Sequence, residues 1–209
     1  MNEYVDFNIW KTKILKSDDS YYHNDLDNFY KYYTIKNTIV KKYKPSTIAE
    51  IGVRYGYSAH AFLYNNNIKR YIGVDYPGAG HGGVSEDTFP YVDTLLTYFF
   101  PDTEIILIER DSQTIDRLPN NYKVDFFHID GNHYYNGCLH DLYLAMNSLN
   151  ENGIILVDDY IFINEVKQAC NDFVEKEKDF VKNIEIIDSY RGEFIIKLIK
   201  SKNGTNTNG

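Results

Sequence analysis

After Pro45 the sequence alternates short apolar runs with helical stretches, and this alternation limits the fold more than any other feature. The runs fall at 47–53, 70–75, 104–109, 124–129 and 153–158, with helical patterns at about 57–65, 88–100, 112–118, 134–149 and 161–178 between them. Strands separated by helices join through right-handed βαβ crossovers and form a parallel sheet covered on both faces. Two further strands, about 184–189 and 193–199, meet at Arg191-Gly192. That spacing predicts a hairpin, so the last strand enters antiparallel. The expected fold is α/β: a doubly wound, Rossmann-like sheet of seven mostly parallel strands with a C-terminal antiparallel hairpin strand. Residues 21–44 place Leu26, Phe29, Tyr30, Tyr33, Ile39, Val40 and Tyr43 near helical spacing, which predicts an amphipathic helix ending before Pro45. The expected division is an N-terminal helical cap at 1–46, a main domain at 47–200 and a disordered polar tail at 201–209.

Composition narrows the function. With 209 residues, 43% hydrophobic and 25% charged, the chain suits one soluble domain and needs no disulfide or metal to fold. Its net charge of −8 argues against a generic nucleic-acid partner. Residues 47–165 hold 17 acidic but only 6 basic side chains. That excess suits a cation or cationic ligand, and equally a solvated acidic surface. Cys138 and Cys170 form no CxxC pair and read as small core residues. The opening MNEYVDFNIW has neither basic leader nor apolar run, and no stretch approaches a membrane span, so a cytoplasmic protein without a membrane partner is expected. A homo-oligomer is left open.

Doubly wound sheets bind ligands at the carboxyl ends of their strands. After the first strand comes Glu50-Ile-Gly52-Val-Arg54-Tyr-Gly56-Tyr-Ser58. Gly52 and Gly56 allow a tight turn and a close approach to a ligand, and Ser58 is a candidate helix cap. The spacing is GxxxG rather than GxGxxG, and Glu50 would repel a pyrophosphate but suit an ammonium group. Asp75 ends the second strand, where it can accept hydrogen bonds from both ribose hydroxyls. Together, Glu50 and Asp75 point to a nucleoside bearing positive charge. Asp111 and Ser112 follow the third strand, as a helix cap or as contacts to an adenine edge. Asp130 and His133 follow the fourth strand, and Asp158 and Asp159 the fifth. Three aspartates at one rim suit Mg²⁺ or Ca²⁺, while helix capping explains one of them but not all three. His133 can act as a general base, or be a surface residue or cap. His128 is expected to point into the sheet's packing.

These residues carry a resemblance. IAEIGVRYGYSA, 48–59, resembles motif I of class I S-adenosylmethionine-dependent methyltransferases, closest to the catechol O-methyltransferase-like branch. RDSQTIDRL, 110–118, is similar to that branch's adenine-side motif, and 124–160 resembles the macrocin O-methyltransferase and cephalosporin hydroxylase-like family. The resemblance implies a methionine-side loop of Glu50, Gly52 and Gly56; Arg54, a bulky cation that departs from the family's pattern, and Ser58 are cofactor-binding candidates in the same loop. It puts Asp75 on the ribose and Asp111 with Ser112 on the adenine side. Asp130, Asp158 and Asp159 would hold a divalent cation, Mg²⁺ first, with Asp130 also beside the cofactor and paired with His133 for catalysis. The glycine-rich loop 76–90 has no strong counterpart and reads as a lid or a connector.

The implied activity is metal-assisted methylation of a hydroxyl on a small molecule or sugar, with a slight preference for sugar. Two other classes compete: a nicotinamide-dependent oxidoreductase, disfavoured by Glu50 and the GxxxG spacing, and a non-catalytic methyltransferase-fold binding or assembly protein. A nucleic-acid methyltransferase is weaker, because neither the fourth nor the fifth strand ends in the required Asn/Asp-Pro-Pro-aromatic tetrad.

Overall fold

The computed structural model describes residues 26–76, 87–189 and 191–199. The expected tail, most of the glycine-rich loop, His23 and His81 lie outside them. Helix α1 (Leu26–Tyr43) leads into strand β1 (Thr47–Ile51), α2 (Tyr57–Leu63), β2 (Arg70–Asp75), α3 (Phe89–Phe99) and β3 (Glu104–Glu109). After β4 (Val124–Ile129) come α4 (Tyr135–Ser148), β5 (Leu149–Val157), α5 (Asn164–Lys176), β6 (Val181–Ile187) and β7 (Glu193–Leu198). One seven-stranded sheet has the order β3-β2-β1-β4-β5-β7-β6. Strands β1 to β5 pair in parallel, and β7 inserts antiparallel between β5 and β6.

Helix α1 ends as expected, with Lys41 and Lys42 in a last turn that favours cations and Pro45 just beyond. Its buried face comprises Phe29, Tyr32, Tyr33, Lys36, Asn37, Ile39 and Val40. Those apolar members pack into the same core as Ile48, Phe62, Phe126, Leu156 and Ile195. Each large apolar side chain enclosed there contributes about 1.5–3 kcal/mol. Asn37 clamps α1 to α2, its Nδ2 donating to the carbonyls of Ala61 and Tyr64, both at 2.7 Å. The other face of the sheet is apolar, built from Ile72, Phe127, Ile155 and Phe194 beneath α4 and α5, with Cys138 and Cys170 buried as free thiols.

Two expectations need correction. The helical pattern at 112–118 does not form an α-helix. The segment makes a single 3₁₀ turn at Ser112–Thr114 and is extended by Ile115, before a second turn at Pro119–Asn121. It is too short for a stable helix before Pro119, and buried Leu118 is held by its N–H donating to Ser148 Oγ at 2.9 Å. Strand β5 begins at Leu149 rather than 153. Val124 pairs with Leu149 and Phe126 with Ile154, so polar residues 150–153 bulge between two paired stretches. No described helix is long and apolar enough to cross a membrane.

Candidate active site

The carboxyl ends of β1, β2 and β4 frame a cavity of about 650 Å³. The turn after β1 is shaped by backbone demands. Gly52 has φ 89°, and a Cβ there would lie 1.9 Å from the carbonyl oxygen of Asp130. The close approach Gly52 permits is therefore to the turn after β4. Arg54 at φ 49° and Gly56 at φ 76° complete the turn. The Arg54 N–H donates to Asp75 Oδ2 at 2.6 Å and the Tyr76 N–H to Oδ1 at 2.7 Å, so the turn orients the acid that ends β2. Burial raises the Asp75 carboxyl above its ordinary value, partly offset by those N–H donors.

Glu50 is absent from the cavity wall and fully buried. Alternation along β1 turns it into the sheet face beneath α1. There the hydroxyls of Ser58 and Tyr71 bond it, and His128 Nδ1 lies 2.8 Å from its Oε1. Ser58 thus serves Glu50 rather than capping α2, whose cap position is Gly56 without a side-chain bond. Both Ser58 and Arg54 line the cavity.

On the β3 side, Asp111 Oδ1 accepts from the Gln113 N–H at 2.9 Å, which is the cap expected from the sequence. Asp111, Ser112 and Gln113 all line the cavity. Gln113 Nε2 donates to Asp141 Oδ1 at 2.9 Å and Ser112 Oγ at 3.1 Å, which leaves the amide oxygen as the acceptor for a ligand. Asp141, on α4, was missed from the sequence. Burial pushes its carboxyl up to about 7, against the Ser112 bond that lowers it.

Opposite lies a charged cluster. His133 Nε2 is 3.3 Å from Asp130 Oδ1 and 3.1 Å from Asp159 Oδ2. Burial works to lower the imidazole's pKa, but bonds to Asp130 and Asp159 raise it to about 10. Arg191 Nη1 lies 3.3 Å and 3.4 Å from the two Asp159 oxygens. Asp158 is 1% exposed and absent from the cavity wall. The Tyr32 hydroxyl and, at 3.2 Å, Lys36 Nζ bond its Oδ2, while the Asp159 N–H donates to Oδ1 at 2.9 Å. Burial raises the Asp158 carboxyl, but Lys36, His128, the Tyr32 hydroxyl and Arg191 together outweigh it and hold the pKa below the usual carboxylate range. Burial and Asp158 push Glu193, also against Lys36, up to about 8.

The structure therefore does not gather Asp130, Asp158 and Asp159 as one open ligand set. Potential ligand atoms fall into two groups, His128 with Asp130 and Asp158, and Asp130 with His133 and Asp159, each within 4.8 Å. Lys36 Nζ sits 3.1 Å from His128 Nε2 beside the first group, and Arg191 Nη1 already engages the Asp159 carboxylate of the second. The three-aspartate cation site does not fit this arrangement. Lys36, Tyr32 and Arg191 were not read as site residues, although a lysine on the apolar stripe of α1 was a visible signal.

The family described as "Methyltransferase domain" matches residues 49–160, more than half of the chain. No curated protein matches the sequence. Among solved structures, the SAH-bound methyltransferase PaMTH1 of Podospora anserina superposes with a TM-score of 0.62 at 16% identity, covering 90% of this chain and 85% of that one. An O-methyltransferase of Bacillus cereus in complex with SAH gives 0.60 at 16% identity, covering 81% of each chain. The O-methyltransferase TomG of Streptomyces achromogenes, in complex with SAM, gives 0.56 at 13% identity, covering 82% of this chain and 80% of that one. The chain belongs to the methyltransferase-domain family and carries the class I fold these methyltransferases share.

Proposed function

We propose that the chain transfers a methyl group from S-adenosylmethionine to a hydroxyl oxygen of a small-molecule acceptor. The observation that carries this reading is one cavity bounded by Asp75 on one side and His133, braced between Asp130 and Asp159, on the other. The cofactor, when bound, supplies an electrophilic methyl group on a sulfonium: the O–C bond forms as the S–C bond breaks, and the hydroxyl proton leaves.

The chain's residues supply binding and positioning, the main source of acceleration for such a displacement. Asp75 accepts from the ribose hydroxyls. Ser112 and the amide oxygen of Gln113 meet the adenine edge, the latter suited to an exocyclic amino group. Glu50 is enclosed, so Asp130, which lines the cavity and whose main chain meets the Gly52 turn, is the anion we assign to the cationic end of the ligand. His133 in its neutral form takes the hydroxyl proton, and Asp130 with Asp159 stabilises the imidazolium that results. The aromatic wall of Tyr32, Tyr33, Tyr55 and Tyr57 suits a flat acceptor or the apolar face of a sugar. A diol-bearing sugar or a catechol-like ring are the acceptors this wall favours. No step is assigned to a divalent cation.

Calorimetric titration tests the cofactor half. S-adenosylhomocysteine should bind at micromolar concentration and NAD should not. No S-adenosylhomocysteine binding at millimolar concentration would remove the reading.

A further inference from the structure

Alternation along the strands puts Tyr71 of β2, Glu50 of β1, His128 of β4, Asp158 after β5 and Glu193 of β7 on the sheet face beneath α1. Adjacent strands make these residues a continuous buried polar row, and α1 closes it with Lys36, 0% exposed. The Lys36 ammonium reaches His128 Nε2 at 3.1 Å, Asp158 Oδ2 at 3.2 Å and Glu193 at 3.1 Å and 3.3 Å. An ammonium without this company would be too costly to enclose. The arrangement is thus reciprocal: the acids hold the lysine, and the lysine holds the acids.

Charge balance extends across the rim. Two of the rim aspartates each hold a permanent cation: Lys36 Nζ lies 3.2 Å from Asp158 Oδ2 and Arg191 Nη1 3.3 Å from Asp159 Oδ1. A divalent ion entering among Asp130, His133 and Asp159 would sit beside Arg191, whose Nη1 is 3.3 Å from Asp159 Oδ1, where like charges oppose it. We propose that Lys36 and Arg191 are the resident cations of this rim, and that the chain works without a divalent metal. This rests on the methyl-transfer reading above. Lys36 is a positioning residue: it fixes Asp158 and fills the position from which His128, Asp130 and Asp158 would otherwise share a metal ion.

The test is Mn²⁺ titration of the full chain, followed by the electron paramagnetic resonance signal of free Mn²⁺, with S-adenosylhomocysteine present and absent. The wild-type chain should bind no Mn²⁺ tighter than about 1 mM, the weak end for oxygen-ligand sites. Lys36→Ala should gain one site at least about tenfold tighter, because it releases His128 Nε2 and Asp158 Oδ2 as ligands beside Asp130. One micromolar Mn²⁺ site in the wild-type chain overturns the proposal, as does a Lys36→Ala chain that folds and binds S-adenosylhomocysteine but gains no site. If Lys36→Ala fails to fold, the wild-type titration decides alone. A wild-type chain that binds S-adenosylhomocysteine and Mn²⁺ together would sink this inference but leave the methyl-transfer reading standing, whereas failure to bind S-adenosylhomocysteine would sink that reading instead.

Discussion

The two halves of the cleft are built by different means. The half after β1, β2 and β3 is made of turns: Gly52, Arg54 and Gly56 bend the backbone, its N–H groups orient Asp75, and Asp111 caps the turn that carries Ser112 and Gln113. The bonds that shape those turns are local or join neighbouring strands, and Gln113 is tied besides to Asp141 of α4. The half after β4 and β5 is made of charges gathered from afar, with Lys36 and Asp158 separated by 122 positions, and Arg191 and Asp159 by 32. A half built from local turns depends on backbone geometry. A half built from distant charges depends on the whole chain being folded around it.

The first way to separate the halves is His133→Ala. It should lower turnover by about 10³-fold, within the usual range for a general base, and leave S-adenosylhomocysteine affinity within about twofold. Steady-state kinetics beside calorimetry reads both numbers, and equal loss in each would erase the distinction. The same residue predicts an alkaline profile. With the imidazole raised to about 10, its neutral fraction and hence the rate should climb with pH towards that value; a plateau below pH 7 would exclude His133 as the base.

Gly52→Ala attacks the turn-built half. The added Cβ would meet the Asp130 carbonyl at a left-handed φ, and a loss of about 3 kcal/mol in unfolding free energy is expected by urea denaturation. Little change would mean the two turns can separate. Asp75→Ala should weaken S-adenosylhomocysteine by about 10- to 100-fold, the worth of hydrogen bonds to a charged group, while turnover at saturating cofactor mostly survives.

Asp141→Asn is the mildest. The native carboxyl is raised to about 7, so folding favours its protonated form. The penalty is small near pH 4, grows as pH rises towards 7 and is complete above it. The amide should therefore leave stability unchanged near pH 4 and raise it by about 1–2 kcal/mol at pH 8. Equal melting shifts at both values would mean that Asp141 is not held neutral by burial.

The same contrast explains what could be read from the sequence. The strands themselves, the capping Asp111, the turn glycines and Asp75 were legible because each depends on residues a few positions away or on the period of one strand. Glu50 was legible as a strand-end acid, but its direction was not: Ser58, Tyr71 and His128, which turn it inward, come from α2, β2 and β4. Asp158 and Asp159 were legible as acids at a rim. Their neighbours were not, because Lys36 arrives from a helix before the sheet begins and Arg191 from the hairpin that ends it. The stretch 112–118 looked helical by pattern, yet the capping aspartate and Pro119 leave it too little length to propagate.

The contact at Gly52 carries one more consequence. Because the bend after β1 rests directly on the main chain at Asp130, the turn proposed to receive the methyl donor and the turn proposed to present the proton acceptor are riveted at one point. Neither can be re-aimed alone. A descendant of this chain that adopts a new acceptor must carve it from the periphery, through α1 or the β6–β7 hairpin, and leave that rivet untouched.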